Sequence, residues 1–350
     1  MSSKIKVAIL GATGAVGQRF VQLLENHPWF EVAALSGSER SIGQKYGEAC
    51  RWVLSGPIPA YAREMVVVPS APGFEAQIAF SALPSEQAKN IEPELARAGY
   101  AICSNASSHR MWEDVPILIP EVNPDHTGLI EIQRKQRGWS GLIVTNPNCT
   151  STGLTIAFRA LHDAFSIRRA FIVSMQALSG AGYPGVASLD IIDNVVPYIG
   201  GEEEKVETEP LKMLGRFNGQ GIDFAPIQLS AHTNRVAVID GHMVVTSVEF
   251  RRDVSPQEAI EALAAFSAPE IVAGLPSAPK PVIELRAEAD RPQPRRDRDS
   301  GNGMASVVGR VRADPLFHIK FANLSHNTIR GAAGGAILNA ELLVVQGFVG

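Results

Sequence analysis

Gly11-Ala12-Thr13-Gly14-Ala15-Val16-Gly17 narrows the folds open to this chain more than any other segment. It follows residues 4–10, KIKVAIL, an almost unbroken apolar run of the kind found in strands buried on both faces. It leads into Val16, Phe20, Leu23 and Leu24, which recur at helical spacing. Strand, glycine turn and helix in that order predict a parallel α/β sheet. The glycines allow a tight turn and close approach of a pyrophosphate to the backbone, and a helix N-terminus offers free N–H groups. Gly11, Thr13, Gly14, Ala15 and Val16 are therefore candidate dinucleotide contacts. The competing reading is a turn that only packs a helix on a sheet.

The alternation continues as a Rossmann-like domain requires. Residues 31–35 read as a second strand, where an NAD-binding chain usually ends on Asp or Glu. Here the position holds Ser36, followed by Ser38, Glu39, Arg40 and Lys45. Hydroxyls and a cation suit a 2′-phosphate and predict NADP, although Glu39 could bind a ribose hydroxyl and the stretch could be an ordinary polar loop. Residues 77–83 read as a strand that ends over the cofactor at Ser81, Ala82 and Leu83, with a helix over 86–98 and a strand over 100–103. The polar loop 104–110 then falls at a strand's carboxyl end, where doubly wound sheets bind ligands, and it carries Arg110.

A strand over 141–145 leads to Asn146-Pro147-Asn148-Cys149-Thr150-Ser151, and a helical pattern begins at once with Leu154, Phe158 and Leu161. A thiol at a helix N-terminus feels a dipole that lowers its pKa, and the N–H groups there can receive an oxyanion. Asn148 is a second candidate oxyanion donor. Taken alone, Cys149 could equally be a small core residue. A thiolate nucleophile needs a base, and of eight histidines His242 stands out at the end of RVAVIDGH. If 236–250 is one strand, Arg235 and His242 fall on opposite faces unless Asp240-Gly241 forms a bulge. A histidine at a strand end is also a common structural residue.

Composition limits the alternatives. The 350 residues suffice for two domains, 45% are apolar, and the net charge of −4 argues against nucleic acid or a membrane surface as the main partner. No apolar run reaches the ~18 residues that span a bilayer, and the N-terminus lacks a signal-peptide pattern. Cys50, Cys103 and Cys149 are an odd, sparse set that fits free thiols in a reducing cytoplasm. Without CxxC or HExxH, no zinc is expected.

Seven segments in order then resemble the aspartate-β-semialdehyde dehydrogenase family. They are GATGAVG, SSHRM at 107–111, PNCT at 147–150, Gln176 followed by SGAG at 179–182, EEEK at 202–205 with ETEPLKML at 207–214, the Arg235 and Gly241-His242 pair, and NTIRGAAG at 327–334. The run 291–304 resembles the archaeal and fungal branch. The resemblance implies NADPH-dependent reduction of L-aspartyl-β-phosphate to the semialdehyde, on the route to lysine, threonine and methionine. Cys149 would form a thioester, His242 would act as acid and base, and Gln176 would orient the acyl group. Arg235 would hold the substrate's carboxylate and Glu202 its ammonium, with Lys205 and Arg110 on the phosphate. Ser179, Gly180 and Asn327 would line the nicotinamide.

The same resemblance implies an NADP-binding domain over 1–148 and an α+β catalytic and dimerisation domain over 149–328. A C-terminal helix, 329–350, would pack back on the first domain, in a homodimer or homotetramer. Within the second domain the patterns suggest strands at 168–177, 236–250 and 305–312, and helices at 185–195, 203–214 and 256–266. The charged stretch 275–304 reads as an extended loop, its charges solvated rather than shaping the site. Other readings are a malonyl-CoA reductase or an N-acetyl-γ-glutamyl-phosphate reductase on the same scaffold, a non-catalytic NADP sensor, and a cysteine hydrolase that would leave the glycine turn idle.

Overall fold

The computed structural model describes residues 4–350. Its first sheet contains β1 (Ile5–Leu10), β2 (Phe30–Ser36), β3 (Val67–Val68), β4 (Ile78–Ser81), β5 (Ala101–Ser104) and β6 (Leu142–Thr145). All pairings are parallel, in the order β3-β2-β1-β4-β5-β6. Along β1, Val7 and Ile9 enter one apolar cluster while Ala8 and Leu10 enter another, so both faces are buried. That is why the run 4–10 is apolar without alternation. Helices α1 (Ala15–Leu23), α2 (Ser85–Arg97) and α3 (Leu129–Arg137) connect the strands. Strand order reverses between β1 and β4, which opens a crevice at the glycine turn.

α4 (Cys149–Phe165) follows β6 and carries the chain into a second, mixed sheet. That sheet is built from β7 (Ile167–Gln176), β10 (Gln228–Arg235), β11 (His242–Phe250), β12 (Ile283–Arg286), β13 (Ser306–Ala313) and β14 (Ile319–Ser325), in the order β10-β7-β11-β14-β13-β12. α5 (Glu202–Met213) and a small ribbon, β8 (Arg216–Phe217) with β9 (Ile222–Asp223), lie between β7 and β10. α6 (Pro256–Ala265) starts at a capping box formed by Ser255 and Glu258. Leu154, Phe158 and Leu161 of α4 pack with Ile172, Val244 and Phe321 on one face of the sheet. The other face leaves Phe171 and Val245 exposed. α7 (Gly334–Val345), entered through a π-helical turn at Ile329–Ala333, returns to the first sheet, where Ala336, Ile337, Ala340 and Leu343 pack with Val7 and Phe80.

Three expectations need correction. Residues 236–250 are not one strand: β10 ends at Arg235, β11 begins at His242, and both flank β7. The apolar run between them crosses over the end of β7, held by Leu178 N–H to Val238 O (2.7 Å) and Ser179 N–H to Ile239 O (3.1 Å). Gly241, at φ +101°, then turns the chain into β11. The helix expected over 185–195 shrinks to Ser188–Ile191, because Leu189 and Ile192 are exposed and Ile191 alone anchors it. The charges of 275–304 are only partly solvated: Lys280, Arg295 and Arg296 are exposed, but a group around Asp297 is paired. Asp297 is fully buried and accepts from Arg286 Nε (2.9 Å), Arg291 Nε (2.7 Å) and the Gln293 N–H (2.6 Å).

Candidate active site

A cavity of about 770 Å³ runs from Thr13, Gly14, Ala15 and Val16, past Ala82 and Leu83, to Cys149. Its first end is built for an anion. α1 opens after its N-cap Gly14, which has no side chain to cap it, so among the described residues no side chain caps its first N–H groups. Gly11 serves the turn rather than the cavity wall: it stands at φ +69°, and a Cβ there would lie 2.9 Å from Ala82 O. Ser81 is buried at the end of β4 and does not line the cavity. Ser36 is also turned inward, its hydroxyl bonded to Ser70 Oγ (2.7 Å), which takes it from the role of a free phosphate donor. Ser38 and Arg40 are exposed on the loop after β2, outside the cavity.

The other end assembles residues from both sheets. Asn148 is the N-cap of α4: its Oδ1 accepts from the N–H groups of Thr150 (2.9 Å) and Ser151 (3.4 Å). Its Nδ2 donates to Glu202 Oε2 (2.8 Å), so the side chain expected as an oxyanion donor is engaged at both ends. Cys149 Sγ is 3.2 Å from His242 Nε2. The Ala177 N–H donates to His242 Nδ1 (3.0 Å), which places the neutral ring's proton on Nε2, facing the sulfur.

Electrostatics correct the expectation of a low thiol pKa. Burial, and then the charge of Glu202, push the Cys149 thiol up to about 12, against the pull of Arg110 and Arg235. Burial, aided by Arg235 and His326, pushes His242 down to about 3. At neutral pH the pair is therefore a neutral thiol and a neutral imidazole. A helix dipole worth ~0.3–1 kcal/mol does not match desolvation, which moves buried groups by up to ~3–5 pKa units.

The remaining expected residues converge on the same space. Gln176, at the end of β7, directs Nε2 to Glu202 Oε2 (3.3 Å) and Ser174 Oγ (3.3 Å). Arg235, at the end of β10, donates to Ala177 O (2.7 Å) and lines the cavity. On α5, Lys205 Nζ meets Glu202 Oε1 at 2.8 Å. Burial opposes the Glu202 charge, but the bonds from Lys205, Asn148 and Gln176 outweigh it and hold the carboxyl below its ordinary range. Arg110 Nη1 is 2.9 Å from Glu209 Oε1. Asn327 ties its Nδ2 to Ser179 Oγ (2.7 Å) and its Oδ1 to the Gly241 N–H (2.8 Å), which fixes the turn carrying Gly180.

Sequence reasoning missed Glu209, the Ala177 N–H, and Asn105, Arg51 and Tyr183 in the cavity wall. Only Glu209 left a signal: it lies seven residues after Glu202, two helical turns along the same face. Among the described residues, no group of three or more His, Cys, Asp or Glu could hold a metal ion. No helix among them is long and apolar enough to cross a membrane.

Comparison with known proteins identifies the family. Residues 6–130 match the semialdehyde dehydrogenase NAD-binding domain, and residues 158–330 match the semialdehyde dehydrogenase dimerisation domain. The chain is 54% identical over 344 residues to an aspartate-semialdehyde dehydrogenase of Archaeoglobus fulgidus, covering 98% of this chain and 99% of that protein. It is 41% identical to a malonyl CoA reductase (NADP) of Metallosphaera sedula, covering 100% and 99%. The crystal structure of aspartate semialdehyde dehydrogenase with NADP from Candida albicans superposes with a TM-score of 0.91 at 40% identity, covering 99% of this chain and 100% of that one.

Proposed function

The chain belongs to the aspartate-semialdehyde dehydrogenase family, and from that premise we propose that it is an NADP-dependent, phosphorylating enzyme that reduces L-aspartyl-β-phosphate to L-aspartate semialdehyde and phosphate. One observation carries the reading: the 3.2 Å contact of Cys149 Sγ with His242 Nε2, in a cavity that also reaches the uncapped N-terminus of α1. Cys149 displaces phosphate from the acyl group, its thiol proton departing with the phosphate, and carries the acyl group as a thioester. NADPH, when bound, supplies a hydride, and its pyrophosphate is suited to the N–H groups after Gly14. The 2′-phosphate then falls to Ser38 and Arg40 rather than to Ser36. Cys149 releases the aldehyde when its thiohemiacetal collapses.

His242 is better placed as a hydrogen-bond donor than as a store for a proton, because a second ring proton would face the Ala177 N–H. It donates to the sulfur and, as charge develops, to the acyl oxygen. Gln176 orients the acyl group, and Ser179 and Gly180 form the turn beside the nicotinamide. Arg235 holds the substrate's carboxylate with its planar fork. Glu202 suits the ammonium, since it already accepts one from Lys205. Arg110 and Lys205 receive the phosphate.

We divide the chain into a cofactor domain over 1–148, a catalytic and dimerisation domain over 149–328, and a returning C-terminal segment over 329–350. Exposed Phe171, Val245 and Leu189 are apolar surface suited to a homodimer or homotetramer. A cytoplasmic place in lysine, threonine and methionine biosynthesis follows from the same reading.

The test is NADP reduction with L-aspartate semialdehyde, with and without phosphate, beside NADPH oxidation with malonyl-CoA. Phosphate-dependent turnover of the semialdehyde supports the proposal. Activity confined to malonyl-CoA would replace it with the second reading, which similarity to the Metallosphaera sedula enzyme favours. Cys149→Ser is expected to abolish turnover and leave NADP affinity, measured by titration calorimetry, within about twofold. Retention of most activity would remove the thioester from the mechanism.

A further inference from the structure

α5 presents a second carboxylate that the mechanism does not use. Glu209 is only 2% exposed, and its two oxygens face different parts of the site. Oε1 accepts from Arg110 Nη1 at 2.9 Å, and Oε2 accepts from the backbone N–H of Asn148 at 2.5 Å. Among the described residues the Arg110 guanidinium has one other bond, Nη2 to Asn105 O at 2.8 Å, and its buried Nε has no partner. Asn148 is the N-cap immediately before Cys149. One rigid carboxylate thus spans the guanidinium on the phosphate side and the peptide that delivers the nucleophile.

We propose that Glu209 is a positioning residue that sets the Arg110 guanidinium relative to Cys149. The inference rests on the phosphate role given to Arg110 above. Glu202 and Glu209, two turns apart on one helix face, grip Asn148 from its side chain and from its backbone. Each bond has a charged acceptor, which makes it shorter and stronger than a neutral one. The Arg110 loop has a second anchor on α5. Lys212, one turn further along α5, donates to the carbonyls of Arg110, Trp112 and Val115, each at 2.7 Å. What Glu209 adds is the direction of the guanidinium. A carboxylate also balances the Arg110 charge in the ligand-free site, so phosphate meets a guanidinium that is aimed but not free.

Two variants separate position from charge. Glu209→Asp keeps the charge but, one methylene shorter, cannot reach both donors. Its KM for phosphate in semialdehyde oxidation is expected to rise about tenfold, the scale of one charged hydrogen bond. Its KM for semialdehyde should stay within about twofold. A carboxylate that served only stability would lower the melting temperature without splitting the two constants, so an unchanged phosphate KM in folded Glu209→Asp overturns the proposal. Glu209→Gln turns an N–H against one of the donors and unmasks Arg110, which favours the thiolate. The pH profile of Cys149 alkylation by iodoacetamide should move toward acid by about half a unit or more. Cys50 and Cys103 are buried and add little background. Alkylation needs no substrate, so this arm survives failure of the functional reading. If the wild type shows no phosphate-dependent turnover, the proposed reaction fails while Glu209 is still judged by the profile. A Glu209→Gln profile that superposes on the wild type ends the positioning claim.

Discussion

A methyl group on Gly180 would lie 2.8 Å from Arg235 Nη1 and 3.0 Å from His242 Nε2. Arg235 lines the cavity and His242 meets Cys149, from strands on opposite sides of β7, and only a residue without a side chain leaves room for both. Gly180→Ala is therefore expected to lower kcat/KM by about tenfold or more, because misplacement of order 1 Å at a reacting centre has large effects. Its melting temperature should stay near that of the wild type, since the added methyl faces the cavity rather than the core. Steady-state kinetics beside a thermal melt would separate the two, and an unchanged kcat/KM would deny Gly180 this function. Gly331 repeats the device behind the nucleophile, where a Cβ would lie 2.7 Å from the Cβ of Cys149. At this scale the site is as much a set of omissions as of functional groups.

Among the elements, α5 is the most densely used. Glu202, Lys205, Glu209 and Lys212 lie on one face: Glu202 and Glu209 both hold Asn148, Lys205 bonds Glu202, and Lys212 holds the Arg110 loop. The arm between α6 and β13 works differently. Its order comes from Asp297, which draws Arg286, Arg291 and the Gln293 N–H around one carboxylate. Asp297→Ala removes all three partners and leaves two arginines beside a buried gap. The expected loss is ~3–5 kcal/mol of unfolding free energy in a denaturant titration. A loss below about 1 kcal/mol would show the arginines to be solvated in the folded protein after all. The crossover 236–241 carries no such network, yet it decides more, because it sends the chain from one side of β7 to the other.

Across the whole molecule the two sheets meet at the site. β6 of the first delivers Asn148 and Cys149, and β7, β10 and β11 of the second deliver Gln176, Arg235 and His242. Burial of histidines at this junction has a consequence for stability. Burial lowers His242 to about 3 and His326 to about 4. Both are neutral in the fold but gain protons near pH 6.5 when unfolded. The unfolded chain then binds more protons as pH falls, so their contribution is full above about pH 6.5 and is lost between there and about pH 3 to 4. The melting temperature should be flat from about pH 7 to 8 and fall steadily below about 6.5. His326→Asn should make that fall shallower, and an identical slope would take His326 out of the account. Asp297 acts in the same direction at lower pH. Burial opposes its charge, but bonds from Arg291, the Gln293 N–H and Arg286 outweigh that and hold it below the ordinary carboxylate range. Its contribution fades once the pH drops below about 4.

The sequence by itself determined whatever depends on neighbours along the chain. The unbroken run 4–10, the glycines after it and the helical spacing of Phe20 and Leu23 specify β1, its turn and α1, because strand, turn and helix are local choices. Likewise the spacing of Leu154, Phe158 and Leu161 marks the helix that opens at Cys149, although Asn148 reads there as an oxyanion donor and only the structure shows it as the cap. Tertiary structure decided what depends on distance and burial. VAVI at 236–239 has every local mark of a strand but crosses the end of β7, since pairing partners are not written in a strand's own residues. Ser36 and Ser38 look alike in sequence, yet only one is turned into the core. The protonation of Cys149 and His242 reversed the local expectation, because a helix dipole acts over one turn while desolvation is imposed by everything packed around the pair.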